Sequence, residues 1–440
     1  LHLSLRRQRQ MCIRDRYKTM KKIVVQKFGG TSVADTDKIK NVAKAVIRER
    51  NLGHDVVVVV SAMGHTTDYL VKMAKDISEN PSSREMDMLL STGEGVSIAL
   101  LAMALQAQGC PAVSMNAIQV GIMTEKVHSK ARIINIKTDK INNHLEKGEV
   151  VVVAGFQGVT DDLEITTLGR GGSDTSAVAL AGALNAIRCD IYTDVEGVYT
   201  TDPRIVPHAS RLDEISYEEM LELARVGANV LHPRAVETAK QYNVPLRVRS
   251  TFKLDNLGTL ILGVDEMELH KPVTGVASDL SQLRVVVCDV IDNPGTAAAL
   301  FNGLADANVS VDMIIQSYAR KALNTNDIAF TIDKGDVEQT LAIVESVKEK
   351  LGYSNVFVDD KIAKVSIVGA GMIDRPGIAA TMFKTLADLG INIKMISTSE
   401  IKISCIVAED DAKKAVEGLH KVFHLDCSEV AEVKGDLPEV

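Results

Sequence analysis

The first residues that could do chemistry form the hexapeptide Lys27–Ser32 (KFGGTS), directly after a run of strand-forming residues. The adjacent glycines Gly29 and Gly30 let a backbone come close to a phosphate, whose oxygens can then accept hydrogen bonds from the following N–H groups. Lys27 adds a positive charge. The same hexapeptide also fits an ordinary turn that ends a strand beside a surface lysine. Because GxxxxGK[ST] is absent from the chain, any nucleotide here is not held by a Walker A loop.

A second glycine-rich segment, Thr167–Ser176 (TLGRGGSDTS), precedes an alanine-rich helix. Ser173 or Asp174 can cap this helix, whose N-terminal amides favour an anion. Arg170 can bind a carboxylate through two parallel hydrogen bonds. A purely structural loop would need fewer glycines and no arginine, so the segment favours anion binding.

A third segment, Tyr192–Arg204 (YTDVEGVYTTDPR), follows another strand-like run. A loop dense in Asp, Thr, Gly and Pro at this position is typical of the carboxyl edge of an α/β sheet, where ligands bind. Taken alone, the segment also fits an acidic surface loop that contains an Asp-Pro turn.

The elements that would position these segments alternate between strand and helix from Met20 to about Ser250. Helices are predicted at Thr36–Arg50, Arg84–Gln106 and Ser173–Ala186, between the strand-like runs KKIVVQKF, DVVVVVS, EVVVVAGF and CDIYTDV. Continuous valine runs are typical of strands buried on both faces. The alternation predicts an α/β fold, a three-layer αβα sandwich with a mostly parallel sheet.

The pattern changes after about residue 250, where two segments repeat. Residues 290–316 (VIDNPGTAAALFNGLADANVSVDMIIQ) align without a gap with residues 372–398 (MIDRPGIAATMFKTLADLGINIKMIST). Matching Pro-Gly turns, Phe, Leu-Ala-Asp and Met-Ile pairs hold one register, which indicates a duplicated module. Each copy predicts a small ferredoxin-like βαββαβ sandwich.

Composition narrows the class of protein. The net charge of −8, without a basic stripe, argues against nucleic acid as a main partner. No apolar run approaches the about 20 residues that a bilayer span needs, so we expect no membrane role. The six cysteines show no metal-ligand spacing, and we expect free thiols in a cytoplasmic protein and no metal site of their own. Residues 1–19 are basic and lack apolar periodicity, so we expect a non-native or disordered extension outside the fold.

The motifs KFGGTSV, SAMGHTTD, STGEGVS, GRGGSDTSA, YTDVEGVYTTDPR and GANVLHPRAVE occur in this order. Together with the repeat, they closely resemble the monofunctional aspartate kinases of the amino-acid kinase superfamily, which carry tandem C-terminal ACT domains. The resemblance covers Met20 to about Val430. It implies a kinase domain over residues 20–250, a first ACT domain over 265–345 and a second over 346–430. In the family the first module is inserted within the second, so a strand at 258–263 is expected to join the second.

The resemblance also implies an activity: transfer of the γ-phosphoryl group of ATP, with Mg²⁺, to the β-carboxylate of L-aspartate. The products are 4-phospho-L-aspartate and ADP, in the first step towards lysine, threonine, methionine and diaminopimelate. ATP contacts are implied at Lys27, Gly29, Gly30, Thr193, Asp194, Tyr199 and Arg204. Aspartate contacts are implied at Ser61, Thr67, Glu94, Arg170 and Ser173. Lys27, Arg170 and Asp174 are the expected catalytic residues. One departure stands out: Asn229 lies where many relatives have a lysine that reaches the nucleotide.

ACT domains commonly bind amino acids where two of them pair, and the resemblance extends this to the repeated modules. Lysine, threonine or both are the expected inhibitors, because both are made downstream of the product. The implied allosteric contacts are Asp292, Gln316, Asn326, Asn392 and Ile393. A homodimer through the ACT domains is expected, and some relatives add a short regulatory subunit.

Two other interpretations fit part of this pattern. A related kinase acting on glutamate, carbamate or a nucleotide would share the phosphate-binding segments, but would not be expected to carry the repeat together with STGEGVS and TTDPR. A non-catalytic amino-acid sensor with a relic kinase domain is the alternative from another class. The intact Lys27, Glu94, Arg170 and Asp174 speak against it.

Overall fold

The valine runs form the centre of an eight-stranded sheet in the computed structural model, which describes residues 22–227, 230–264, 271–317, 324–373 and 375–426. The strands up to residue 262 are β1 (Ile23–Phe28), β2 (Asp55–Val60), β3 (Ala112–Met115), β4 (Ile122–Thr124), β5 (Ile133–Ile136), β6 (Val150–Ala154), β7 (Gln157–Val159), β8 (Ile165–Thr167), β9 (Arg188–Thr193), β10 (Glu214–Ser216), β11 (Leu246–Ser250) and β12 (Thr259–Leu262). The helices over the same stretch are α1 (Thr36–Asn51), α2 (Thr66–Ile77), α3 (Ser83–Ala107), α4 (Ala117–Val120), α5 (Asp139–Glu146), α6 (Gly172–Ala183), α7 (Tyr217–Arg225) and α8 (Pro233–Tyr242).

The large sheet has the strand order β10-β12-β11-β9-β1-β2-β6-β3. Its neighbouring strands run parallel except for the pair β11 and β12. A smaller sheet, β5-β4-β7-β8, lies beside it. The predicted α/β fold with a mostly parallel sheet is therefore confirmed.

Alternate residues of the central strands supply two cores, because successive side chains of a strand point to opposite faces. Val57 and Val59 belong to one buried cluster with residues of α6, α7 and α8. Val56, Val58 and Val60 belong to the other, with residues of α1 and α3. The sheet is thus covered on both sides, which makes this part of the chain a three-layer αβα sandwich.

Helix α3 is long and apolar enough, by length and composition, to cross a membrane. It instead contributes Leu101 and Leu105 to the core between the sheet and α1, and 44% of its most apolar stretch is buried. Core helices of globular proteins pass the same test, so the helix carries no membrane assignment.

The repeated segments form two four-stranded sheets. The further strands are β13 (Gly275–Asp279), β14 (Gln282–Ile291), β15 (Val311–Gln316), β16 (Thr325–Asp333), β17 (Asn355–Asp359), β18 (Ile362–Val368), β19 (Met395–Thr398) and β20 (Lys402–Ala408). The helices are α9 (Thr296–Asp306), α10 (Val337–Ser346), α11 (Lys348–Leu351), α12 (Ile378–Asp388) and α13 (Ala412–Val422). Module one has the order β15-β16-β14-β17 and module two the order β13-β18-β20-β19.

Two expected boundaries are wrong. The segment 258–263 contains β12, which pairs with β10 and β11 in the large sheet and not with the second module. The strand that joins module two from before module one is Gly275–Asp279, antiparallel to Ile362–Val368. Asn355–Asp359 was expected in the second domain but pairs with β14 of the first. In each module the fourth strand comes from across the boundary drawn from the repeat.

Candidate active site

The expected site segments meet at one edge of the large sheet. Strands β1, β2, β6 and β9 are parallel neighbours, so their carboxyl ends lie side by side. Gly29 and Gly30 follow β1, Ser61 follows β2, and Thr193 ends β9. Segments far apart in sequence are therefore brought to one place, the carboxyl edge where α/β sheets bind ligands.

The turn after β1 packs against the turn after β2 without room for side chains. The N–H of Gly64 donates to the carbonyl oxygen of Gly30 at 3.0 Å, and the N–H of Ser61 donates to that of Phe28 at 3.2 Å. A Cβ on Gly30 would lie 2.9 Å from the backbone oxygen of Ala62. Glycine at position 30 is thus required by this close approach, apart from any role in phosphate binding.

Lys27 and Asp174 form the central charged pair. Lys27 Nζ lies 2.6 Å from Asp174 Oδ1, and both side chains are largely buried. Asp174 is in the first turn of α6, which begins after Gly171 in a left-handed conformation with φ of 67°. The pair therefore joins the end of β1 to the N-terminus of α6, whose free amides favour an anion.

Glu94, on α3, is a buried carboxylate with spare bonding capacity. Its side chain lies next to the turn after β2, where Oε1 accepts the Ala62 N–H at 3.1 Å. Oε2 is buried and has no hydrogen-bond partner. Burial raises the pKa of Glu94 to about 7, although the hydrogen bonds it accepts pull in the opposite direction. A cationic ligand would satisfy the second oxygen and favour the ionised form.

The other residues expected to bind aspartate lie on two segments, one that follows β2 and one at the start of α6. Ser61 adjoins Ala62, and Thr67 lies half-buried in the first turn of α2. Ser173 is buried beside the end of β6, where a Cβ on Gly155 would lie 2.8 Å from its side chain. Arg170 is exposed in the turn before α6.

His232 is a residue of this site to which the sequence analysis gave no role. A Cβ on Gly171 would lie 2.2 Å from its ring, so the histidine packs directly on the turn before α6. Burial lowers the pKa of His232, while nearby Asp174 raises it and Arg170 lowers it. Its only signal in the sequence was the quoted motif GANVLHPRAVE, in which it caps α8 before Pro233.

The residues expected to bind the nucleotide lie at two places along the chain, at the end of β9 and in the segment that follows it. Thr193 Oγ1 donates to Asp194 Oδ1 at 3.0 Å at the end of β9, the strand that pairs with β1 and its Lys27. Arg204 lies further along the chain, where its Nη2 bonds Asp202 Oδ2 at 2.6 Å. Tyr199 is half-buried and forms an isolated β-bridge with Arg211. Asn229 lies outside the described residues.

In module one, the structure brings two of the expected effector residues together. Asn326 Nδ2 donates to Asp292 Oδ1 at 3.1 Å, and the buried Oδ1 of Asn326 has no hydrogen-bond partner. Gln316 is exposed at the end of β15. In module two, Asn392 is exposed and Ile393 is half-buried before β19. The Pro-Gly turn of this module begins beside Asp374, which lies outside the described residues.

Metal-ligating side chains are not clustered in the part of the chain that the structure describes. It contains no group of three or more His, Cys, Asp or Glu residues that could hold a metal ion.

Comparison with known proteins agrees with this architecture. The Amino acid kinase family model matches residues 22–250, and an ACT domain model matches residues 284–347 and 365–423. Aspartokinase 2 of Bacillus subtilis is 54% identical over 403 residues, which cover 92% of this chain and 98% of that protein. The aspartokinase of Corynebacterium glutamicum is 46% identical over 414 residues, covering 93% and 98% of the two chains.

Solved structures give the same result. Escherichia coli aspartokinase III, in complex with aspartate and ADP, is 29% identical with a TM-score of 0.77, covering 91% of this chain and 99% of that one. The same enzyme with lysine and aspartate has a TM-score of 0.73 at the same identity and coverage. With its amino acid kinase domain, its ACT domains and this likeness over nearly its whole described length, the chain belongs to the aspartokinase family of ATP-dependent kinases that act on a carboxyl group.

Proposed function

We propose that the protein phosphorylates the β-carboxylate of L-aspartate with ATP, giving 4-phospho-L-aspartate and ADP as the first step towards lysine, threonine, methionine and diaminopimelate. One observation carries the assignment to specific residues. Glu94 is buried beside the turn after β2, the strand that pairs with β1 and its Lys27, and Glu94 Oε2 has no hydrogen-bond partner. An unpartnered carboxylate oxygen fits an α-ammonium group, and the lysine fits a phosphate. The relatives named above support the same substrate pair.

The aspartate side of the site needs three interactions. Glu94 binds the ammonium group, which removes the cost of its own buried charge. Arg170 is exposed and can pair with a carboxylate in a bidentate manner. Ser61, Thr67 and Ser173 supply hydroxyl groups to the remaining oxygens. Together these groups would hold the β-carboxylate in line with the transferring phosphoryl group.

The reaction needs no general base, because a side-chain carboxylate with a pKa near 3.9 is already ionised at neutral pH. The barrier is mainly electrostatic, since an anion must approach a polyanion. Lys27 neutralises charge that develops on the phosphoryl oxygens, and Asp174 orients Lys27 through the 2.6 Å contact. The backbone at Gly29 and Gly30 approaches the phosphates.

The remainder of MgATP falls to the segments after β9. Thr193 and Asp194 lie at the strand end, and Tyr199 and Arg204 follow along the same segment. Mg²⁺ enters with the nucleotide as part of the substrate and screens the phosphate charges. Asp194 directly follows β9 and supplies a carboxylate on the nucleotide side of the proposed site.

Regulation is assigned to the paired modules. ACT domains imply allosteric control, and lysine, threonine or both are the proposed effectors. Asp292, Gln316 and Asn326 would contact an effector in module one, and Asn392 and Ile393 in module two. The contact between Asn326 and Asp292, with a spare buried oxygen, supports an amino-acid ligand there. A cytoplasmic homodimer joined through these modules completes the proposal.

A hydroxamate assay tests the proposal directly. The purified chain is incubated with MgATP, hydroxylamine and L-aspartate, and hydroxamate and ADP are measured together. Equal amounts of both products are expected with aspartate and almost none with L-glutamate. Lysine, threonine and their mixture are then added, and at least one is expected to inhibit. Production of ADP without hydroxamate would contradict the assigned acceptor, and insensitivity to all three additions would contradict the assigned effectors.

A further inference from the structure

The nucleotide segment Tyr199–Arg211 is in contact with module two as well as with the kinase domain. Val206 of this segment lies in one buried cluster with Val276 of β13 and with Leu419 and Leu425 at the C-terminal end of module two. Ala209 forms an isolated β-bridge with Asp426. The junction between the two parts of the protein therefore runs along the segment that carries the proposed nucleotide contacts.

Thr200 is fixed at the centre of this junction. Its N–H donates to the carbonyl oxygen of Ser210 at 2.9 Å, and its own carbonyl oxygen accepts the Val276 N–H at 2.7 Å. Its hydroxyl oxygen accepts the Ser210 N–H at 3.0 Å. Only 1% of Thr200 is exposed. Its backbone is thus bonded to its own segment on one side and to module two on the other.

Besides the Leu425 carbonyl oxygen, which lies 3.3 Å from Thr200 Oγ1, the Thr200 hydroxyl faces the closer ring of His420. This residue of α13 is completely buried, with Nε2 at 2.8 Å from Thr200 Oγ1 and Nδ1 at 2.9 Å from Asp426 Oδ1. Burial lowers the pKa of His420, although Asp426 opposes the shift, so the ring is neutral at pH 7. The carboxylate of Asp426 can only accept, so it takes the Nδ1–H. Nε2 is then the acceptor for the Thr200 hydroxyl.

The position of Thr200 in the chain gives this contact a consequence for the reaction. Tyr199 precedes it directly, and Arg204 follows four residues later. Adjacent Cα atoms are held 3.8 Å apart, so a displacement of Thr200 moves Tyr199 with it. A kinase active site tolerates little displacement, because positioning supplies much of its catalytic effect.

We propose that His420 is a positioning residue for the nucleotide site: its hydrogen bond to Thr200 fixes the backbone that presents Tyr199 and Arg204 to ATP. This inference rests on the proposed nucleotide role of that segment. It extends the ATP site into module two, through a residue about 220 positions away in the sequence.

The test separates the two substrates. His420→Phe keeps the ring volume and removes both nitrogen atoms, and Thr200→Val removes the hydroxyl group while keeping the branched shape. In each variant the KM for ATP is expected to rise by about 3- to 10-fold, the effect of losing the hydrogen bond of about 1 kcal/mol between His420 and Thr200, which is the one bond that both substitutions remove. The KM for aspartate is expected to stay within about twofold. His420→Gln, which can again accept the Thr200 hydroxyl, is expected to recover most of the affinity.

Lys402→Met provides the matched control, because Lys402 Nζ bonds Glu222 Oε2 at 2.6 Å across the same junction without touching Thr200. It is expected to leave the KM for ATP unchanged. Equal increases in both KM values, or the same ATP effect in the control, would overturn the inference in favour of general loosening of the junction. If His420→Phe does not fold, an unchanged KM for ATP in Thr200→Val overturns it alone.

A second readout does not depend on turnover. ADP is expected to raise the Tm of the wild-type chain, and this increase should be smaller in His420→Phe and Thr200→Val but not in Lys402→Met. If the wild-type chain binds ADP but does not phosphorylate aspartate, the proposed acceptor is wrong. The ADP-induced Tm shifts of the variants still test the role of His420 in that case. Equal ADP-induced shifts in all variants would overturn that role.

Discussion

Two buried carboxylates in the kinase domain have opposite surroundings. Glu94 lies at the carboxyl edge of the sheet with one oxygen bonded to a backbone N–H and the other without a partner. Asp190, in β9, is fully buried but accepts from Arg188 Nε at 3.1 and 3.2 Å. Arg247 and Arg249 lie 3.6 and 4.0 Å from its oxygens.

Burial raises the pKa of both carboxyl groups, but only around Asp190 do arginines counter it. An internally compensated charge is what a structural ion network requires. A buried carboxylate with spare capacity is destabilising until a cation arrives, which is what a binding site requires. The difference assigns stability to one residue and ligand binding to the other.

The largest expected effect is on stability, at Asp190. Asp190→Asn leaves three arginines facing a neutral amide, and breaking a buried ion network of this kind costs about 3–5 kcal/mol. We expect a Tm lower by about 10 °C in thermal unfolding. The KM values of the folded fraction should not change. A Tm within two degrees of the wild type would show that the network is not structural.

The next effect is on catalysis, at the ligand edge. Lys27→Ala is expected to lower kcat by about 10²-fold or more, because the charge that develops on the phosphoryl group loses its partner. Arg170→Ala should instead act mainly on the KM for aspartate. Steady-state kinetics distinguish the two, and near-normal constants in both variants would contradict the site assignment.

Glu94→Gln is expected to weaken aspartate binding without lowering the Tm, which is the reverse of the result expected for Asp190→Asn. The ionised Glu94 is costly in the free enzyme, since burial raises its folded pKa to about 7 from an ordinary value of 4.5. It therefore weakens the fold as pH rises from about 4.5 to 7, by about 1.4 kcal/mol per unit of pKa difference. At pH 8 the glutamine variant should unfold at the same or a higher Tm while binding aspartate at least tenfold more weakly. A large loss of Tm would show that Glu94, like Asp190, stabilises the fold.

The smallest effect is on the pH dependence of aspartate binding. Below pH 7 Glu94 is protonated in the free enzyme, so the ammonium group of the substrate must displace that proton. The KM for aspartate is expected to rise by about tenfold in total as pH falls from about 8 to 6, because the ionised fraction of Glu94 falls over this range. Glu94→Gln should flatten this profile, whereas a wild-type KM that is constant across the range would contradict the assigned role.

The sequence alone indicated the mostly parallel sheet and the duplicated module, for local reasons. A run of valines indicates a strand buried on both faces without reference to any other part of the chain. The 82-residue repeat can likewise be recognised without knowing how the strands of the modules pair. Lys27 and Asp174 lie in glycine-rich segments that can be recognised locally, and their catalytic roles are implied by the family resemblance. The structure places the two side chains in contact.

Other features depend on contacts between distant segments. The residues Thr259–Leu262 and Gly275–Asp279 are short strands of similar composition, and only pairing decides which joins module two. His232 and His420 are single histidines whose partners come from other parts of the chain. Asp190 looked like an ordinary strand residue, because its arginines lie partly on β11, about 60 residues later.

The pairing of β13 with β18 means that module one enters and leaves the protein through adjacent strands. Such a segment behaves as a cassette: its two attachment points are close together, so it can be exchanged without reconnecting the remainder. Module two and its contact with Thr200 lie outside the cassette. Replacing residues 282–359 with the corresponding module of a relative would therefore leave the covalent connection between module two and the kinase domain unchanged.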